Sequence, residues 1–190
     1  FNLAHMLADT HPDEAIAHYQ AALRIEPYDG ESHYNLGVIW EKRGNRGLAL
    51  EHYRQSLRID PNHPETHLNM GNLLASSQPL AAMRHYRAAL EHRPNYAEAH
   101  NSLAALLLRQ GDWSEAEERL RAALRLKPEY ANAHIHLAKL LAKQRKLPEA
   151  VEHLRTALRL KPEYRTRVLD DREFDSLVKM LTPSPVEPGT

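Results

Sequence analysis

The stretch HYNLGVIWEKRGNRGLALEHYRQSLRIDP, residues 33–61, decides the fold. Apolar residues recur at helical spacing between Glu31 and Arg43, and the pair Gly44-Asn45 then supplies a turn. A second helical stretch follows over residues 46–59. Pro61 comes after it, because proline cannot continue a helix. The stretch therefore predicts a helix hairpin.

The same pattern returns along the whole chain at a step of 33 or 34 residues. Three series keep that step: the prolines Pro27, Pro61, Pro94, Pro128 and Pro162; the alanines Ala15, Ala49, Ala82, Ala116 and Ala150; and the bulky residues Tyr19, Tyr53, Tyr86, Leu120 and Leu154. A single hairpin cannot bury its apolar face, so neighbouring hairpins must stack to form a continuous core. The series therefore predict a repeat array.

The repeat step sets the expected domain boundaries. The array covers residues 1–164, with repeats at about 1–29, 30–63, 64–96, 97–130 and 131–164. Since the first repeat lacks the start of its first helix, we expect more chain upstream. Over residues 165–181 the pattern predicts a C-terminal capping helix, whose apolar stripe consists of Phe174, Leu177, Val178 and Leu181. Over residues 182–190 the composition predicts a flexible tail.

The pattern His33-x2-Leu36-Gly37-x2-Trp40, followed by Ala49-x3-Tyr53 and Pro61, resembles the tetratricopeptide repeat, with histidine where that family usually has tryptophan. The resemblance implies an all-α fold, a right-handed α-solenoid (superhelix) of about five helix-turn-helix repeats plus a C-terminal capping helix. It also implies a protein-protein interaction module or scaffold that binds a peptide or partner protein in a concave groove lined by the first helices.

Carried onto this sequence, the resemblance predicts a ligand-binding groove. Its lining residues are Tyr34, Asn35, Val38 and Lys42; Leu68, Asn69 and Asn72; Asn101, Ser102, Ala105 and Arg109; and Ile135, His136, Lys139 and Lys143. Asn2, Asn35 and Asn69 resemble the asparagine ladder of the O-GlcNAc transferase repeats, since an amide can both donate to and accept from a peptide backbone. The alternative is that these asparagines tie one helix to the next.

A second groove motif of this family is absent. The dicarboxylate clamp of chaperone-binding relatives needs Lys, Asn, Asn, Lys and Arg at set places in three adjacent repeats. For the window that begins in the second repeat, Tyr34, Val38, Asn69, Glu98 and Ser102 stand there instead. Recognition of an Hsp70 or Hsp90 tail is therefore not expected.

Charge and composition narrow the class of partner. Lys and Arg total 25, as do Asp and Glu, and no apolar run is long enough to cross a bilayer. We therefore expect neither nucleic acid nor a membrane as partner. Residues 109–167 hold 14 basic and 8 acidic side chains, and Arg109, Lys139 and Lys143 should point into the groove. Our hypothesis is that this end binds an acidic ligand segment.

Thirteen histidines invite a metal or catalytic hypothesis. Most fall into two repeated series, His33, His67, His100 and His134, and His18, His52, His85 and His153. Equivalent positions in a stacked array are about one repeat apart, too far for two imidazoles to share a zinc ion. Cysteine is absent, and no phosphate loop or nucleophile motif occurs. The prediction is a non-enzyme with no catalytic residues, metal site or cofactor.

Two other functions remain open from the sequence. The chain could be the substrate-recruiting segment of a larger enzyme such as a glycosyltransferase, or a structural protein that self-associates through its open N-terminal face. The sequence does not name the compartment, and a soluble cytoplasmic protein is favoured.

Overall fold

The computed structural model describes residues 7–8 and 10–181. The predictions that concern Asn2, the start of the first repeat, the open N-terminal face and the tail 182–190 lie outside these residues. Within them the chain is helical and has no β-strand, which confirms the all-α fold class. No described helix is long and apolar enough to cross a membrane.

The chain divides into two compact units between Pro94 and Asn95. The N-terminal unit contains helix α1 and, after it, two complete hairpins, α2/α3 and α4/α5. Its helices are α1 (Pro12–Ile25), α2 (Gly30–Lys42), α3 (Arg46–Ile59), α4 (Pro64–Leu74) and α5 (Pro79–His92). Helix α1 packs against α2 and α3 against α4, so the hairpins stack in chain order.

The C-terminal unit contains two hairpins, α6/α7 and α8/α9, and a closing segment. Its helices are α6 (Ala97–Gln110), α7 (Trp113–Leu126), α8 (Ala131–Lys143), α9 (Leu147–Leu160), α10 (Tyr164–Asp170), a 3-10 helix (Arg172–Phe174) and α11 (Asp175–Leu181). The first helices α6 and α8 contact each other directly, and α11 packs against α9.

Local sequence signals start and stop these helices. The Asp29 carboxylate accepts hydrogen bonds from the backbone N–H groups of Glu31 and Ser32 at the start of α2, and the Asn45 side chain accepts one from Leu48 N–H at the start of α3. Such caps satisfy donors that have no partner inside the helix. The turn before α3 passes through Gly44 at φ 75°.

Each hairpin is packed around a small residue on its first helix. The ring of Tyr53 is 0% exposed and lies against Gly37, while Tyr86 lies against Gly71 in the next hairpin. In the C-terminal unit, Ala104 and Ala138 stand at the glycine positions, and Leu120 and Leu154 replace the tyrosines; all four are 0% exposed. Close helix approach therefore rests on a matched pair of sizes in each hairpin.

The closing segment differs from the single capping helix predicted over residues 165–181. It consists of α10, the 3-10 helix and α11, because the backbone at Asp171 is extended and the Asp171 carboxylate caps the 3-10 helix by accepting from Glu173 N–H. Phe174 and Leu177 are buried, whereas Asp175, Ser176 and Lys179 are exposed. The segment covers the apolar face of α9 and exposes a polar one.

Candidate ligand-binding faces

In the N-terminal unit, the predicted groove residues lie on helices α2 and α4. Tyr34 and Val38 are half-buried, and Lys42 and Asn72 are exposed. The ring of Tyr34 lies 4.9 Å from the imidazole of His63, measured between centroids. This face offers aromatic and amide groups to a ligand.

The asparagines of this face already have protein partners. Asn35 is buried, and its Nδ2 donates to the backbone oxygen of Glu31 at 2.9 Å and to Glu31 Oε1 at 3.1 Å. Asn69 Nδ2 donates to the hydroxyl of Tyr53 at 3.3 Å, and Asn72 Oδ1 accepts from the hydroxyl of Tyr86 at 2.9 Å. The tie between helices that the sequence left open is therefore present at Asn69. Asn35 bonds within α2, and Asn72, for which no such tie was considered, joins α4 to α5.

In the C-terminal unit, Asn101 and His136 join the two first helices. The Asn101 amide is buried, its Nδ2 donates to the Tyr130 hydroxyl at 3.4 Å, and its Oδ1 accepts from His136 Nδ1 at 2.8 Å. Burial, together with Arg167 and Lys139 nearby, lowers the pKa of His136 to about 4. His136 is therefore a neutral imidazole at pH 7 whose Nδ1 carries the proton.

The basic end of this face encloses a cavity of about 400 Å³. Its lining residues are Ala105, Leu108, Arg109, His136, Lys139, Lys143 and Glu173. Five of them, Ala105, Arg109, His136, Lys139 and Lys143, are among the predicted groove residues. Leu108 and Glu173 were not predicted; Leu108 stands one position before Arg109, and Glu173 reaches the cavity from the closing segment. The structure thus brings the predicted cations together around a real depression.

The closing segment supplies acidic partners to these lysines. Lys139 Nζ contacts the carboxylate of Asp171 and lies 2.9 Å from Glu173 Oε2, and Lys143 Nζ lies 2.8 Å from Glu173 Oε1. The hydrogen bond from Lys139 lowers the pKa of Asp171, and those from Lys143 and Lys139 lower the pKa of Glu173. Burial alone would lower the pKa of Lys139, but the two carboxylates offset it and the net shift is upward.

Four of the predicted groove residues are buried, namely Asn35 and Asn101, described above, and Leu68 and Ile135. Ile135 is 1% exposed and Leu68 is 6% exposed, so neither side chain is available to a ligand. Each of these two directly precedes another predicted groove residue, Asn69 or His136. Ser102 on α6 remains half-buried beside Asn101.

The histidines form pairs that the sequence analysis missed. His33 and His52 lie with their Nδ1 atoms 3.0 Å apart, His67 and His85 also at 3.0 Å, and His134 and His153 at 2.8 Å. Equivalent positions in successive repeats are about one repeat apart, whereas these contacts join the two histidine series within one hairpin. The constant offset of 18 or 19 residues between the two series was the signal that could have revealed it.

Burial favours the neutral form of His33, His52, His67, His85 and His153. It lowers the pKa of His33, His52, His67 and His153, and it lowers the pKa of His85 to about 4 with His67 and Arg84 nearby. Within residues 7–8 and 10–181, no three His, Asp or Glu side chains converge on one point as a metal-binding group.

Stacked helix hairpins with a matched small and bulky residue in each define a helical-repeat protein of the α-solenoid class. Sequence profiles described as tetratricopeptide repeat match residues 30–63, 73–124 and 103–165, which together span more than half of the chain. The chain belongs to the tetratricopeptide repeat family. No curated protein sequence matches it.

Several solved structures have a similar fold. The chain is similar to YrrB, described as a TPR protein with an unusual peptide-binding site, at 22% identity and a TM-score of 0.71, covering 89% of this chain and 88% of YrrB. It is similar to MamA of Desulfovibrio magneticus RS-1 at 22% identity and a TM-score of 0.71, covering 85% and 93%. It is also similar to PilF of Pseudomonas aeruginosa at 21% identity and a TM-score of 0.73, covering 95% and 87%. At these identities the likeness concerns the fold.

Proposed function

We propose that this chain is a protein-interaction module that binds an acidic peptide segment on the first-helix face of its C-terminal unit. The observation that carries the proposal is the cavity at Lys139 and Lys143, where carboxylates of the chain's own closing segment already bind. YrrB, whose fold is similar, is described as having a peptide-binding site.

The contacts of the closing segment indicate which chemistry the cavity accepts. Lys139 holds two carboxylates at once, and Lys143 shares one of them. Arg109, an exposed residue, lines the same cavity. An acidic side chain of a ligand would either replace the Glu173 carboxylate on Lys143 or bind to Arg109 while Glu173 stays in place.

Displacement of the Glu173 carboxylate from Lys143 is energetically accessible. The Glu173 side chain is 44% exposed and that of Lys143 is 40% exposed. Exposed ion pairs contribute only about 0–1 kcal/mol, because water competes for both partners. Phe174 and Leu177 hold the segment through apolar burial, so a ligand can replace the Glu173 carboxylate without releasing the whole segment.

The face of the N-terminal unit offers a separate set of groups for a peptide. Tyr34, Val38 and Lys42 leave surface accessible, and the Asn69 amide is half-buried. We propose these residues, with Asn72, as contacts for an extended backbone. The likeness to the O-GlcNAc transferase ladder stays a prediction at Asn69, since both Asn35 donor contacts go to Glu31.

A fluorescence anisotropy titration with a labelled peptide rich in Asp and Glu tests the acidic preference. At pH 7 and low salt we expect Lys139→Ala/Lys143→Ala to weaken binding by about tenfold or more, because charge-assisted hydrogen bonds are lost. Asp171→Asn/Glu173→Gln should tighten it, since the internal competitor is weakened. Binding to the wild type should also weaken as salt rises.

The matched control is Lys146→Ala/Lys161→Ala, which removes the same charge from the same unit outside the cavity. If both double-lysine variants lose the same affinity for the peptide, the binding is a general attraction to positive charge, and the proposed site is overturned. Equal affinity for a neutral peptide of the same length would overturn the acidic preference. Circular dichroism of every variant checks that the helices are intact.

A further inference from the structure

A histidine pair bridges the two helices of a hairpin in three of the four complete hairpins described. One imidazole comes from the first helix and one from the second, as in His33 with His52. The α6/α7 hairpin differs, because Arg119 stands where the second-helix histidine would be. All six paired histidines except His134 are half-buried, and His134 is 8% exposed, so the pairs lie near the surface.

The outer nitrogen fixes the tautomer in two of these pairs. His67 Nε2 lies 2.9 Å from the backbone oxygen of Pro61, and His134 Nε2 lies 2.9 Å from the backbone oxygen of Pro128. A carbonyl oxygen can only accept, so Nε2 carries the proton and Nδ1 presents its lone pair to the partner histidine. A ring held by a backbone carbonyl through its far nitrogen is the usual support of a metal-binding histidine.

The spacing of the Nδ1 atoms is that of the hydrogen bond between the two rings, and it also matches one coordination angle at a metal. Metal–imidazole bonds are about 2.0–2.1 Å long, so two nitrogens at a right angle around the metal lie about 2.9 Å apart, whereas two at the tetrahedral angle lie about 3.3 Å apart. The three pairs have separations of 2.8–3.0 Å. Right-angle coordination by nitrogen is typical of Cu²⁺ and Ni²⁺ rather than of structural zinc.

We propose that each histidine pair is a two-imidazole binding site for a Cu²⁺ ion. The bridging hydrogen of His85 or His153 moves from Nδ1 to Nε2 through solvent, so that both Nδ1 atoms of the pair bind the metal and no net proton is lost. Because no third His, Asp or Glu of the described residues converges on a pair, water fills the remaining coordination positions.

Neighbouring charges distinguish two of the three sites. The carboxylates of Asp29 and Glu51 act on His33, and Glu51 also acts on His52, whereas the guanidinium of Arg84 acts on His85. Negative charge favours a bound cation and positive charge opposes it. We expect the His33–His52 pair to bind Cu²⁺ more tightly than the His67–His85 pair.

The test is a titration of the chain with Cu²⁺ at pH 7, in the presence of free glycine as a competitor that keeps weak single-imidazole sites empty. We expect three bound ions per chain, with pulsed electron paramagnetic resonance showing two imidazole nitrogens on each. His153→Asn should reduce the number to two. His134→Asn/His153→Asn should also leave two, because the pair holds one ion.

The matched control is His18→Asn, at an exposed histidine of α1 that belongs to none of the three pairs. It should leave three ions bound. Three results would each overturn the proposal: fewer bound ions in the double variant than in His153→Asn, only one imidazole nitrogen on each ion, or fewer than three ions bound to His18→Asn. Each of them is the behaviour of independent surface histidines. Thermal unfolding followed by circular dichroism checks each variant, and His52→Asn repeats the test in a second hairpin.

Discussion

At the scale of single residues, the contact between Gly37 and Tyr53 explains why two series in the sequence keep the same step. A Cβ on Gly37 would lie 2.5 Å from Cδ1 and Cε1 of the Tyr53 ring, well inside van der Waals contact. Gly71 has the same relation to Tyr86. Where the second helix carries Leu120 instead, the first helix carries Ala104. A larger residue on the first helix is therefore matched by a smaller one on the second, and the same hairpin packing results.

We expect Gly37→Ala to lower the free energy of unfolding by about 1–3 kcal/mol, because the added methyl overpacks the buried ring. The loss should outweigh the gain of about 1 kcal/mol that alanine brings to a helix interior. Adding Tyr53→Leu should recover part of it, since the pair then resembles Ala104 with Leu120. Urea unfolding followed by circular dichroism gives the coupling between the two changes.

Gly47→Ala is the control for this pair. The nearest atom to a Cβ at Gly47 is Asn45 Oδ1, at an ordinary 3.6 Å, so this change should not lower stability. A Gly37→Ala variant as stable as Gly47→Ala, or no coupling with Tyr53→Leu, would contradict the packing argument.

The residues that could be predicted from the sequence are those that a period reveals. The alanine and bulky series gave the core contacts correctly, because each position repeats and one helix face is buried throughout. The histidine pairs could not be found by comparing equivalent positions, since His67 and His85 lie on opposite sides of a turn. For Asn69, the sequence left two roles open; the hydrogen bond to Tyr53 shows the contact between helices, and the contact with a peptide stays a prediction.

At the scale of helices and turns, one backbone position inside the hairpin recurs with different residues. Gly44, Gly111 and Arg145 occupy equivalent places between the first and second helices, with φ of 75°, 88° and 62°. Glycine adopts this left-handed region without penalty, whereas a residue with a Cβ is strained there. The third turn therefore carries strain that the first two avoid.

We expect Arg145→Gly to raise the free energy of unfolding by about 1 kcal/mol, because it relieves a left-handed residue at the cost of a more flexible unfolded chain. Gly111→Arg is the reciprocal change and should lower stability by a similar amount. A Cβ at Gly111 meets no atom within 4 Å, so its effect reports the backbone alone. The midpoints of urea unfolding give the stability changes of both variants. A loss of stability in Arg145→Gly would contradict the assignment of strain.

In the closing segment, the sequence revealed which residues are buried but not which distant residues they contact. The spacing of Phe174 and Leu177 correctly placed them on a buried stripe, since apolar periodicity reports burial. It did not show that Asp171 also contacts Lys139. That residue bonds both to Glu173 N–H and to Lys139, and the second contact joins positions far apart in the chain.

At the scale of the whole molecule, balanced composition conceals a separation of charge. Residues 109–167 hold 14 basic and 8 acidic side chains, and residues 168–190 hold 2 basic and 5 acidic ones. Within the C-terminal unit the structure joins these regions through Lys139 and Lys143. The end of the array is thus closed by apolar burial and by an acidic segment that binds to a basic face.

Acid should loosen this closure before it unfolds the repeats. The bonds from Lys139 and Lys143 lower the pKa of Asp171 and Glu173, so their contribution is complete above pH about 4.3 and is lost as the pH falls below the lowered values. Hydrogen exchange, corrected for intrinsic rates, should show less protection of residues 172–179 at pH 3 than at pH 6, with α8 unchanged. Asp171→Asn/Glu173→Gln should reduce protection already at pH 6 and flatten its pH dependence, whereas Asp175→Asn should behave like the wild type. Unchanged protection of the wild-type segment at pH 3 would show that apolar burial alone closes the array.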